Sequence, residues 1–160
     1  MSYENRYCKH TVESKNKEAL ALIENVHEGA LATLEETKPF VSSVSFVYDP
    51  PAGSNERWGK IQLLLSALAR HTRNIQKNPD VSLFVTESRP APSYEKKRVT
   101  LQGRIRWVKD ETEFKKFKAR YIQAFPTSEM FFTFSDFRFF EMEISELHWI
   151  AGFGKIETFR

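Results

Sequence analysis

The stretch from Leu63 to Val85 restricts the possible folds of this chain more than any other. An apolar run, Leu63-Leu64-Leu65, meets a knot of polar groups at Ser66, Arg70, His71 and Thr72. A short helical segment follows and must stop at Asn78-Pro79, because the residue before a proline is pushed out of the helical region. Val81-Ser82-Leu83-Phe84-Val85 then returns as a second strand. Donors gathered where a strand feeds a helix suit an anion, since the first N–H groups of a helix are unpaired and its dipole favours negative charge there. Capping and solvation account for the same residues without a ligand. Two cations and two hydroxyls within seven residues favour the anion, with phosphate as the expected ligand.

The remaining segments read as strands with marginal helices. Apolar positions Ala19, Leu20, Leu22, Ile23 and Val26 recur at helical spacing after a candidate cap at Ser14. Residues 29–34 and 39–48 form an expected hairpin turning at Glu35-Glu36-Thr37-Lys38, and the Pro- and Gly-containing run 49–55 reads as a loop. Lys60 to Ser66 is a strand, Arg89 to Ser93 a loop, and Lys97 to Val108 a long alternating strand in which Gly103 marks a bend or bulge. Asp110 caps a helix reaching about Ala124, with Phe114, Phe117, Tyr121 and Ile122 on one face and Pro126 ending it. Phe137 to Leu147 is the last strand. About six strands, three interposed helices and no βαβ regularity predict a mainly β (α+β) fold, a small antiparallel barrel with helices at its margins.

A chain of 160 residues fits one domain, expected to span 1–160, and can bury its core without staples. Its single cysteine, Cys8, has no intrachain partner, which points to a reducing, cytoplasmic setting and an inert thiol. No apolar run approaches the length of a membrane span, so no membrane association is expected. A net charge of +3 with a pI of about 9.0 falls short of a dedicated nucleic-acid binder and suits an anionic small molecule equally well.

His10, His27, His71 and His148 show no metal-ligand spacing, and no nucleophile elbow is present. No metal is therefore expected, and no side chain is nominated as an acid, base or nucleophile. The aromatic run Phe131-Phe132-Thr133-Phe134 with Phe137, Phe139 and Phe140 reads as core or interface. Gly152-Phe153-Gly154-Lys155 is too short for a phosphate loop. With Trp149 before it, this ending is placed to fold over a ligand, including one held by a neighbouring subunit.

Ser66-Ala67-Leu68-Ala69-Arg70-His71-Thr72-Arg73-Asn74 with Asn78-Pro79, the strand Arg98-Val99-Thr100-Leu101-Gln102-Gly103, and the ending Gly152-Phe153-Gly154-Lys155 together resemble the pyridoxamine 5′-phosphate oxidase-like FMN-binding split barrels, closest to their haem-utilisation (HugZ-like) branch. The resemblance implies a six-stranded antiparallel split barrel and a homodimer with FMN at the interface. It places Val41, Ser42, Ser43, Val44 and Ser45 along the isoalloxazine, Leu65, Ser66, Arg70, His71 and Thr72 at the phosphate, and Arg98 and Trp149 near the cofactor. The family's basic pair is Arg-Lys, so His71 is a departure. Where the family oxidase has substrate-contacting cations, this chain has Phe46 and Phe125, which argues against vitamin B6 as substrate. Two functions follow as expectations. One is an FMN-dependent oxidoreductase acting on a small molecule; the other is a haem-binding or haem-degrading protein with His148 or His10 as candidate iron ligands. A barrel that has lost its cofactor is a third reading, opposed by the retained Ser66, Arg70 and Thr72.

Overall fold

Alternation of period two along the predicted strands translates into a closed barrel in the computed structural model, which describes residues 17–53 and 57–160. The elements are α1 (described over 17–25), β1 (Glu28–Glu35), β2 (Lys38–Asp49), β3 (Lys60–Ser66), α2 (Arg70–Lys77), β4 (Asp80–Thr86), β5 (Arg98–Trp107), α3 (Glu111–Ala124), β6 (Phe137–Ile150) and β7 (Ile156–Phe159). Short 3-10 segments cover Ser93–Glu95 and Pro126–Thr133. The candidate cap Ser14, Cys8 and His10 lie outside the described residues.

The strands run in the order β3-β2-β1-β4-β5-β6, and β3 pairs back onto β6 to close the ring. Every pairing is antiparallel. Strand β7, which the sequence pattern did not announce, hydrogen-bonds the outer end of β6 and stands outside the barrel. Alternate residues from each strand fill the interior: Leu31, Phe46, Ile61, Leu83, Leu101 and Met142 are all fully buried. Helix α1 adds Ala19 and Ile23 to the same core.

A second, smaller core lies on the outside of the sheet. There α3 lays Phe117 and Tyr121 over Val47, Val108 and Phe139. As expected, Asp110 caps this helix, accepting from the N–H groups of Thr112 and Glu113 at 2.9 Å each. Arg120 ties the helix to the sheet through Asp49 at 2.7 Å and Gln62 at 3.1 Å. Pro126 ends α3, and the chain turns directly into the second 3-10 segment.

The long β5–β6 ladder slips by one residue at Gln102/Gly103. The extra residue is Ser145, on β6, so Gly103 marks the irregularity from the partner strand. A Cβ at Gly103 would lie 1.9 Å from the Glu143 carbonyl oxygen. Only glycine permits that approach, and the slip bends the sheet enough to close.

Candidate functional site

The β1–β2 hairpin, the end of β3 and the start of α2 converge on one side of the barrel. In β2 the register sends Val44 and Phe46 inward, leaving Ser43 and Ser45 on the outer face. In β3 the same alternation leaves Leu64 outside the ring. Ser43, Val44, Ser45 and Leu64, with Leu65, Ser66 and His71, form one wall of a cavity of about 420 Å³. The opposite wall comes from the end of α3 and the 3-10 segment: Tyr121, Phe125, Thr127, Ser128 and Phe131, with Phe137 at the base of β6. Among the described residues no Lys, Arg, Asp or Glu lines it.

The expected phosphate donors are brought together, but each already holds a partner. Ser66 Oγ donates to the Asp136 carboxylate at 2.7 Å and accepts the Leu68 N–H at 3.1 Å. Thr72, fully buried, donates to the Ser66 carbonyl at 2.7 Å. Arg70 forks onto Glu35 of the hairpin, with Nε 3.1 Å from Oε1, and its guanidinium lies over the Phe40 ring. The Arg70 hydrogen bond holds the Glu35 carboxyl below the usual carboxylate range, and Glu35 in turn raises Arg70. Deeper, Asn74 donates to Thr33 at 3.0 Å and anchors α2 on β1.

His71 is not the cation that a basic pair calls for. One ring nitrogen, Nδ1, lies 3.0 Å from Ser42 Oγ, the other, Nε2, is buried without a partner, and burial pushes the imidazole below its ordinary value. Ser128 Oγ, on the facing wall, is likewise buried and unpartnered. Behind that wall His27 packs edge-on against Phe125 at 5.6 Å, its Nδ1 also unpartnered. Ala69, at the cap position before α2, offers no side-chain cap, and the first turn holds no acidic residue, which leaves the helix's positive end open.

Of the residues expected at the cofactor, Ser43, Val44, Ser45, Leu65, Ser66 and His71 line the cavity. Ser42 reaches it through His71, and Arg70 and Thr72 stand beside and beneath the start of α2. Val41 lies farther along β2, more than half exposed. Arg98 and Trp149 are not brought to the cavity within this chain. Arg98 donates to the Ser93 and Lys96 carbonyls, while Trp149 is packed in the barrel core opposite Val99. Phe46, expected on the substrate side, points into the core and is fully buried; Phe125 does stand on the cavity wall. His148 sits on the β6–β7 pair with Nδ1 2.8 Å from Thr158 Oγ1, outside the cavity. Thr127, Ser128 and Phe131 were not foreseen as wall residues. The only hint was Pro126, which stops α3 and turns the chain back over β3.

Comparison with known proteins agrees with this architecture. A haem-binding protein from Mycobacterium smegmatis superposes with a TM-score of 0.77 at 24% identity, covering 91% of this chain and 57% of the other. HutZ, the haem storage protein from Vibrio cholerae, matches at 0.67 and 23% identity, covering 82% and 90%. A FAD-binding protein from Mesorhizobium loti matches at 0.64 and 17% identity, covering 82% and 88%. This chain thus spans less than two thirds of the Mycobacterium smegmatis protein. No curated protein matches the sequence. The family model described as CREG, beta-barrel matches residues 10–159, nearly the whole chain. With six antiparallel strands closed through β3 and β6, this protein belongs to the CREG β-barrel family and has the split-barrel fold of the pyridoxamine 5′-phosphate oxidase-like proteins.

Proposed function

We propose that the cleft between β2, β3 and α3 binds FMN and that the protein is an FMN-dependent oxidoreductase working as a homodimer. The observation that carries this reading is the pairing of an uncharged, aromatic-walled cavity of about 420 Å³ with the uncapped start of α2 and Arg70 at its rim. A flat conjugated ring suits the first, and an anionic tail suits the second. The donors fit a phosphate on one condition, that Arg70 leaves Glu35. Both side chains of that pair are about half exposed, and exposed pairs are weakly held, so a dianionic phosphate is able to displace the carboxylate. The bound flavin would supply the redox chemistry. The chain's own residues seat the ring against Ser43 and Ser45 and keep the cavity free of charge.

The outer face of β2, β1 and β4 supports the homodimer. Val41, Ala32, Ala30 and Phe84 are register neighbours across three strands, with Val41 and Phe84 exposed. Such a face is suited to a second copy of the chain.

Haem is the second reading, favoured by one feature of the site. His71 presents a neutral imidazole whose Nε2 has no partner, and two of the similar structures are those of haem-binding and haem-storage proteins. His71 replaces His148 as the candidate ligand.

Titrating the purified chain separately with FMN, riboflavin and haemin, and following absorbance, tests both readings. Shifted flavin bands with FMN bound more tightly than riboflavin are expected. A sharp Soret band with no flavin binding would overturn the flavin reading in favour of haem.

A further inference from the structure

The α3 wall of the cleft carries its own chemical signature. Among the described residues it combines the rings of Phe125 and Phe131 with two hydroxyl side chains, Thr127 and Ser128, and no charged group. Ser128 is 4% exposed, yet its hydroxyl has no hydrogen-bond partner. A buried hydroxyl left unpaired costs free energy that a ligand would recover once a change of χ1 rotamer presents it to the cavity. Its backbone N–H is already given to the Phe125 carbonyl at 2.9 Å, so the segment is held in place and only the side chain is free.

We infer that this wall selects a neutral aromatic carbonyl compound of the quinone class, with Ser128 donating to a carbonyl oxygen and Phe125 and Phe131 covering the rings. The cavity admits a two-ring system, and its uncharged lining rejects a substrate that carries a phosphate, carboxylate or sulfonate into it, because a charge buried there would find no counterion. Arg70 does not neutralise a charge held inside the cavity, since it stands at the rim and does not line it. The inference deepens the reading above by naming the ligand class of the same cleft. It stands on the wall's composition alone and does not require FMN.

The test uses a matched pair of probes, menadione and 1,4-naphthoquinone-2-sulfonate, which share a ring system and differ in charge. Binding is followed by calorimetry on the full chain, with and without FMN. Menadione is expected to bind at least about tenfold more tightly than the sulfonate. Ser128→Ala should weaken menadione by about three- to tenfold. Thr127→Lys, which brings a cation to the wall, should narrow or reverse the preference for menadione over the sulfonate. Equal affinity of the wild-type chain for the two probes, or an unchanged menadione affinity in a folded Ser128→Ala variant, would overturn the inference. The two readings fail separately. Menadione binding without FMN binding removes the flavin and keeps the wall, whereas FMN binding without menadione binding does the reverse.

Discussion

Replacing Thr72 by Val tests how the start of α2 is held beneath the site. The two side chains have nearly the same shape and are both β-branched, so the change removes a hydroxyl with little change of volume. Thr72 is fully buried and its Oγ1 donates to the Ser66 carbonyl at 2.7 Å. Had that carbonyl no other partner, its desolvation would add a penalty of about 1–3 kcal/mol. It does have one: the Ala69 N–H reaches the same oxygen at 3.2 Å. The loss should therefore be that of one net hydrogen bond, about 0.5–1.5 kcal/mol. For a chain of this size each kcal/mol corresponds to about 2–4 °C in Tm. Urea unfolding of wild type and Thr72→Val gives the difference directly. A loss above about 3 kcal/mol would refute the sharing of the carbonyl. No loss at all would refute the contact itself.

Arg70→Ala should weaken FMN by about ten- to a hundredfold while barely affecting riboflavin; equal losses for both in a titration would mean that Arg70 does not meet the phosphate. Gly103→Ala should destabilise by at least about 1–3 kcal/mol, because the new Cβ would lie 1.9 Å from the Glu143 carbonyl oxygen; an unchanged denaturation midpoint would contradict the close approach of β5 and β6. Burial raises the Tyr121 and Tyr48 hydroxyls from 10.0 to about 12, so the folded chain keeps protons that the unfolded chain releases. Stability should be full below pH 10 and fall as the pH rises from 10 towards 12. His71 runs the other way: its lowered value means that the unfolded chain binds the proton first, and stability should fall as the pH drops below about 6.5. Thermal unfolding across pH reads both limbs, and Tyr121→Phe should flatten the alkaline one. Phe84→Glu should give a light-scattering mass of one chain where the wild type gives two; two monomeric proteins would remove the homodimer. Pyridoxamine 5′-phosphate should not be turned over by the FMN-loaded protein, because the described residues of the cavity offer no Lys or Arg to its phosphate; formation of the aldehyde would contradict that.

The sequence by itself determined the ring of strands. Apolar alternation marks the inward positions of β5 and apolar runs mark β3 and β4 as strands, Asn78-Pro79 stops α2, Asp110 starts α3, and Gly103 stands at the slip in the ladder. These are local effects, set by backbone geometry and by neighbours within a few residues. Ser66 and His71 on one wall of the cleft were marked by the donors gathered where β3 meets α2, while Ser43 and Ser45 came through a resemblance. Tertiary structure decided the rest. Whether Phe46 faces the cleft or the core depends on the parity of β2 against β1 and β3, and a shift of one residue reverses it. Asp136 meets Ser66 only because the barrel closes through β3 and β6, and Glu35 meets Arg70 because α2 packs on β1, contacts that join segments far apart in the chain. The charge of His71 follows from the burial that this closure imposes. The second wall, with Ser128 and Phe131, exists because the chain turns back over β3 after Pro126. No local pattern records which buried hydroxyl is left without a partner, since that is decided by everything packed around it.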